Sequence, residues 1–263
     1  MRTGFSDAVG ILYLVNEEIA VAVPSAGGVD RRFRPGRYIE SDYPPLRRSP
    51  FIRDMERITS SRAYRITYIG VPLVVAGLVV QERDHGFRHL RNDYVPSFRF
   101  RYDDYLQYAP AALMLGLKIG GVRGRSSWGR MLVSDAFSVA LMAGAVNSLK
   151  YPCRMPRPDG SNNKSFPSGH TATAFMAATM LHKEYGGRSP WYSIAGYSMA
   201  TVTGVSRMLN NKHWLSDVLV GAGIGILSVE LGYLFADLIF KDKGLTEFEQ
   251  DFFYDRYCRP SFF

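Results

Sequence analysis

The chain reads as an all-α protein: a six-helix membrane bundle with a basic, partly irregular N-terminal arm. Three observations predict this. Apolar runs of helical length recur between residues 66 and 240, separated by polar breaks. The basic arm, the short basic loops at 123–130 and 183–188 and Lys241/Lys243 would all fall on one side of such a bundle, while the cations at 150–169 and 206–213 run against that trend. Ala, Gly and Ser are frequent in the later runs, where they let helices approach closely. The mean hydropathy of −0.10 is slightly negative because a polar N-terminal third dilutes an apolar remainder.

The elements follow in order. Residues 8–23 are apolar but interrupted by Asn16, Glu17 and Glu18, so they suit an interfacial or packed helix better than a cleaved signal or a span. Gly27 to Pro50 is rich in Gly, Pro, Arg and Ser and reads as irregular linker. Residues 31–65 hold ten arginines against four acids, which suits a membrane flank; no nucleic-acid module accompanies them. The expected spans are Ile66–Val80, Tyr105–Val122, Met131–Leu149, the short Thr171–Leu181, Trp191–Val205 and Leu215–Phe240. The polar stretch 81–104 between the first two, with His85, His89, Asp103 and Asp104, reads as a loop or surface helix. Asp135 is expected to pair with the basic loop beside it; Glu230 is either a functional intramembrane acid or, as the blander reading, one of a packed pair near the cytoplasmic end. Gly221, Gly223 and Gly225 give the sixth span a small-residue face. The chain thus divides into a cytoplasmic arm (1–65), a helical membrane domain (66–240) and a tail (241–263).

Three clusters carry the chemistry. The first is Lys150-x6-Arg157-Pro158, in a loop expected over 150–169. The second is Pro167-Ser168-Gly169-His170. The third is Ser206-Arg207, followed by His213 and Asp217. Cations and backbone N–H groups bind phosphate, and two histidines can divide the work of nucleophile and general acid. No Cys/His/carboxylate set at zinc spacing stands out, so neither a metal nor a cofactor is expected. His213 and Asp217 are four apart, one turn on a helix face. Asp217 can hold one ring nitrogen as N–H and leave the other lone pair free. His170 follows Ser168-Gly169 at an expected helix start, where free N–H groups favour anions. Lys150, Arg157 and Arg207 suit the phosphoryl oxygens. Arg154 is either a headgroup contact or a solvated arginine. His85, His89 and His182 read as surface or structural histidines.

Those three clusters, with their internal spacing, resemble the signature of the type 2 phosphatidic acid phosphatase superfamily, over roughly residues 105–240. The resemblance implies His213 as nucleophile, His170 as acid, Asp217 as the orienting carboxylate, and Lys150, Arg157, Ser168, Gly169 and Arg207 as the phosphate cradle. It implies a metal-independent phosphatase acting on a phosphorylated lipid through a phosphohistidine. Phosphatidic acid, phosphatidylglycerophosphate, a polyprenyl pyrophosphate and a lipid A phosphate all fit. Similarity to compact bacterial members points to the inner membrane. Two other readings are a soluble acid phosphatase or vanadate-dependent haloperoxidase on the same core, and a non-catalytic lipid-binding protein. The apolar runs argue against the first, and the presence of both histidines against the second.

The side of the membrane follows from the loops. Those at 123–130 and 183–188, the arm and Lys241/Lys243 fall on one side, expected to be cytoplasmic. The stretches 150–169 and 206–213 then share the extracytoplasmic side.

Overall fold

Serines set several helix boundaries. Ser61, Ser127, Ser168 and Ser189 each stand just before a helix, and each side chain accepts a hydrogen bond from a first-turn backbone N–H. This takes up donors that a helix start leaves unpaired. The computed structural model describes residues 50–80, 85–241 and 243–245. The expected helix at 8–23, the linker and arm up to residue 49, the His85 side chain and the tail from 246 lie outside what it describes. The described residues form ten helices. They are α1 (Pro50–Ser60), α2 (Arg62–Thr67), α3 (Gly70–Val80), α4 (His85–Tyr94), α5 (Asp103–Leu106), α6 (Ala109–Ile119), α7 (Trp128–Cys153), α8 (Gly169–Tyr185), α9 (Pro190–Leu209) and α10 (Leu215–Phe240).

Helix α10 is the axis. It packs on α3, α7 and α8, while α8 also carries α9 and α6. Its glycines do not form one face, as the sequence suggests, but serve several neighbours. A β-carbon on Gly221 would stand 2.6 Å from the Ser168 carbonyl, and one on Gly225 would collide with the backbone of Ala172 and Met176. These two lie one turn apart and let α8 close in. Gly223 faces Gly70 and Val74 of α3, and Gly232 faces Ser134 and Ser138 of α7.

Two helices, α7 and α10, are long and apolar enough to cross a membrane. They differ in burial: 67% of the apolar window of α10 is buried, but only 22% of that of α7. Helix α7 therefore turns apolar surface outward, including Leu132, Phe137, Val139 and Leu149, and Val75, Val79, Trp191, Ile194, Leu238 and Ile239 do the same on neighbouring helices. So much outward apolar surface suits hydrocarbon rather than water.

The other expected spans are shorter or broken. Ile66–Val80 is interrupted by a turn at Tyr68 and Ile69, and Tyr105–Val122 is divided at Gln107 and Tyr108 and ends at Ile119. Helix α8 is longer than expected, running to Tyr185. Glu230 is paired with Lys183 at 2.7 Å, as the packed-pair reading expects. Asp135 is not paired with the basic loop; its carboxylate lies 3.3 Å from the Tyr233 hydroxyl, whose proton it shares with Glu184 at 3.0 Å. Arg125 and Arg130 instead share Asp237 on α10. The loops at 123–130 and 183–188 gather at one end of the bundle with Lys241, Lys243 and Gly244: Arg125 N–H donates to Glu184 O, Ser127 N–H to Gly244 O, and Arg130 to Lys241 O and Lys243 O. The three motif clusters gather at the other.

Candidate active site

The first motif begins on a helix rather than in a loop, because α7 runs through Lys150 and ends only at Cys153. Arg154 caps it with left-handed backbone (φ 42°), is exposed, and is followed by Pro156 and Pro158, which cannot continue a helix. The loop then folds on itself. Arg157 N–H donates to Asn162 O at 2.9 Å, and Ser165 N–H to Met155 O at 3.0 Å. It is also stapled to the turn before α10. Asp159 N–H donates to Asn211 O, Trp214 Nε1–H to Pro156 O, and Lys212 pairs with the Asp159 carboxylate at 2.6 Å. Lys212 and the Ser161 N–H hold Asp159 down to about 2, although its own burial acts the other way. The staples carry Arg157 to the third motif.

Ser168 is fully buried and caps α8; its hydroxyl accepts from Thr171 N–H and shares a hydrogen bond with Thr171 Oγ1 at 2.9 Å. Its own N–H donates to Asp217 O at 3.1 Å, tying the second motif to the first turn of α10. The Phe166–Pro167 bond just before it is cis. A β-carbon on Gly169 would stand 3.7 Å from Lys150 Nζ, so the first and second motifs are in contact. Lys150 is also within electrostatic reach of Arg157, Arg207 and Asp217.

His213 and Asp217 do not share a helix, as their spacing suggests. His213 lies in the turn before α10, and Asp217 sits in its first turn. The pair still meets, with His213 Nδ1 3.4 Å from Asp217 Oδ2, and the two residues are 2% and 0% exposed. The carboxylate is fixed independently: Oδ2 accepts from the Ser165 hydroxyl and from Trp214 N–H at 2.9 Å. At 3.4 Å the ring nitrogen makes no aligned hydrogen bond, so His213 Nδ1 and Asp217 Oδ1 are both buried without a partner. Burial draws the His213 imidazole down to about 4; Asp217 opposes this, and Arg207 and Arg157 reinforce it. At neutral pH the ring is therefore uncharged, with a lone pair to give.

Arg207, in the last turn of α9, is 7% exposed. Its Nε and that of Arg157 are buried without a partner. Burial first, and then the Arg207 charge, lowers the Arg157 guanidinium from its ordinary value. Guanidinium groups do not lose their protons here, so the cations repel one another, and an anion between them relieves the repulsion.

All eight residues of the sequence-derived site are thus brought to one end of the bundle. Two neighbours were passed over in the sequence. Asp104 accepts from His170 Nε2 at 2.8 Å, and the buried Asp103 pairs with Arg207 at 2.9 Å. The available signal was a pair of adjacent carboxylates ending a strongly polar stretch, before an apolar run. His89 is exposed, and His182 bonds Ser193 at 2.7 Å on the far side of α8.

A cation cradle closed by two histidines at one end of a helical bundle belongs to a known class. Residues 131–240 match the model of the PAP2 superfamily, and within that stretch α10 and most of α7 are the two helices long and apolar enough to cross a membrane. Among particular relatives, the lipid A 1-phosphatase of Porphyromonas gingivalis is 53% identical over 173 residues, 65% of this chain. The aligned stretch spans only 39% of that relative's length. The solved structure of Aquifex aeolicus LpxE is 25% identical, with a TM-score of 0.44 over 56% of this chain and 92% of that one. A PAP2 type phosphatidylglycerolphosphate phosphatase from Bacillus subtilis is 22% identical, with a TM-score of 0.43 over 67% of this chain and all of the other.

Proposed function

We propose that the protein is a membrane lipid phosphatase that removes a phosphomonoester through a phosphohistidine, with the 1-phosphate of a lipid A-type glycolipid as substrate. The observation that carries the reading is the convergence of buried, unpartnered polar atoms, Arg157 Nε and Arg207 Nε, around the uncharged ring of His213. Buried donors left unpaired are costly, and a phosphoryl group satisfies them. The choice of lipid A over the other phosphorylated lipids rests on the identity to the Porphyromonas gingivalis enzyme.

The reaction proceeds in two halves. In the reaction His213 Nδ1–H closes onto the Asp217 carboxylate, which accepts its hydrogen bond, so Nε2 presents the lone pair and attacks phosphorus. The bond to the lipid oxygen breaks, and that oxygen takes its proton from His170. Lys150, Arg157, Arg207 and the N–H groups of the Gly169 turn hold the three equatorial oxygens as charge redistributes. In the second half, water attacks phosphorus, the P–N bond breaks, and His170 recovers a proton from the water. Inorganic phosphate leaves and His213 is neutral again. The cradle supplies three positive charges without a metal, so hydrolysis should persist in chelator and be inhibited by vanadate, which mimics five-coordinate phosphorus.

The direct test is phosphate release by detergent-purified protein from lipid A, phosphatidic acid, phosphatidylglycerophosphate and a polyprenyl pyrophosphate. Preference for lipid A, with loss of the 1-phosphate alone, supports the reading; preference for another lipid redirects the substrate and leaves the chemistry in place. The extracytoplasmic placement is tested separately. With Cys153 and Cys258 replaced, Asn162→Cys should react with an impermeant thiol reagent in intact cells and Arg123→Cys should not. The reverse pattern would sink the assigned side.

A further inference from the structure

We propose that Asp103 and Asp104 act as a positioning pair: Asp104 fixes His170 as the proton donor, and Asp103 fixes Arg207 against the phosphate. The proposal rests on the phosphohistidine reading above and adds two residues outside the three motifs that carry it.

The geometry comes from one short element. Helix α5 places two successive carboxylates on two different site residues. Asp104 Oδ1 is 2.8 Å from His170 Nε2 and 3.5 Å from Arg207 Nη1, while Asp103 Oδ2 is 2.9 Å from Arg207 Nη1. The element is itself held in place. Asn210, just past α9, donates to Asp103 Oδ2 at 3.2 Å and to Phe100 O at 2.6 Å, and accepts from Phe100 N–H at 2.9 Å. Arg91 of α4 is buried and donates to Leu209 O at 2.7 Å, and to Pro96 O and Phe98 O. The stretch from α4 to α5 is therefore fastened to the end of α9 that carries Arg207, and it brings its carboxylates in as fixed groups.

The consequence is chemical. Burial, and then the Arg207 charge, lower the His170 imidazole from its ordinary value; a carboxylate on Nε2 opposes this, keeping a proton there and favouring the charged ring that a general acid requires. It leaves Nδ1–H as the nitrogen that can reach a leaving oxygen. Asp103 and Asp104 together also offset part of the repulsion that Arg207 exerts on a charged His170. The charged groups around His170 are these two acids from α5, Arg207 from α9 and Lys150 from α7. Asp103 is 2% exposed and pins one guanidinium nitrogen, which aims the rest of the fork.

The test uses the full chain in detergent, with Asp104→Asn, His170→Ala, the double variant and Asp103→Asn. Rates are read from pH 5 to 9 on a lipid phosphomonoester and on p-nitrophenyl phosphate, whose leaving group needs no proton. Asp104 is exposed, so its variant should keep the thermal midpoint of the wild type. Asp104→Asn should lower kcat on the lipid about tenfold, within the roughly 10²–10⁴-fold that general acid catalysis supplies. It should change kcat/KM for the aryl phosphate, which reports the phosphorylation half alone, less than about twofold, and move the alkaline limb of the lipid kcat/KM profile to lower pH. In the His170→Ala background it should have no further effect. Asp103→Asn should raise KM more than it lowers kcat. Equal losses on both substrates, an unmoved alkaline limb, or losses that multiply with His170→Ala would each overturn the assignment of Asp104. If His170→Ala itself does not discriminate between the leaving groups, His170 is not the acid, and the underlying reading falls first.

Discussion

The bundle holds an arginine–carboxylate cluster at each end, and the two are built to opposite specifications. At the basic end Arg130 is almost wholly buried and fully used: it donates to Lys241 O at 2.6 Å and Lys243 O at 2.8 Å, and pairs with Asp237. Arg125 shares Asp237 and lies over the Tyr233 ring, whose hydroxyl donates to Glu184. Among the described residues, the one buried side-chain polar atom left over there is Ser126 Oγ. At the motif end, Arg157 Nε, Arg207 Nε, His213 Nδ1 and Asp217 Oδ1 all lack partners. A saturated cluster stabilises the fold; an unsaturated one holds its donors for a ligand, and its cost is met by the packing around it.

The comparison is broken most severely at His213. His213→Ala removes the proposed nucleophile and should lower kcat by roughly 10³-fold or more. The cations stay in place, so lipid phosphate should still bind, and vanadate should still protect the variant from thermal unfolding. Turnover near the wild-type rate would end the phosphohistidine reading.

At the basic end the expectation is reversed. Arg130→Ala leaves the Lys241 and Lys243 carbonyls without this donor and Asp237 with Arg125 as its remaining partner. Because Asp237 is partly exposed and keeps Arg125, the loss should be roughly 2–4 kcal/mol, at or below the range for breaking a buried pair. The midpoint of thermal unfolding in detergent should fall while kcat at low temperature stays within about twofold. An activity loss larger than the stability loss would show that the two ends are coupled.

Between the ends lies a contact that transmits packing to chemistry. Gly221→Ala drives a methyl against the Ser168 carbonyl, which is backbone and cannot swing aside. Overpacking of this kind costs about 1–3 kcal/mol. The displaced Ser168–Gly169 turn should also lower kcat about tenfold. The same change at Gly116, where nothing lies within 4 Å of a β-carbon, should do neither.

Much of the site was legible because its chemistry is local in sequence: Ser168-Gly169-His170 needs only a helix start, and His213 and Asp217 only one turn. What was not legible depends on long-range contact. Nothing near Asp103 or Asp104 indicates that they meet Arg207 and His170, 104 and 66 residues away respectively. Asp135 was given to the nearest arginines by proximity in sequence, but the register of α10 brings Asp237 to those arginines and Tyr233 to Asp135. The apolar runs were read correctly as helical, but hydropathy does not register the turns that break α2 from α3 and α5 from α6.

The smallest expected effect is also the most specific to the unsaturated end. His213 is uncharged because of its burial, reinforced by the charges of Arg207 and Arg157. Attack on phosphorus needs the neutral ring, so the acid limb of kcat/KM that belongs to His213 should lie near pH 4: activity is present above it and lost as pH falls through it. Arg157→Gln keeps a polar side chain but removes one of the two reinforcing charges. Protonation of His213 then becomes easier, and the limb should move upward by about half a pH unit, a size typical of one partly screened charge. The variant should also raise KM, since one phosphate ligand is lost. The substrate's own ionisation contributes equally to both profiles, so the displacement between wild type and variant isolates the enzyme group. Arg125→Gln, at the saturated end, should leave the limb where it is. A limb that moves equally for both variants would mean that the field at His213 is set by the net charge of the bundle and not by the cradle.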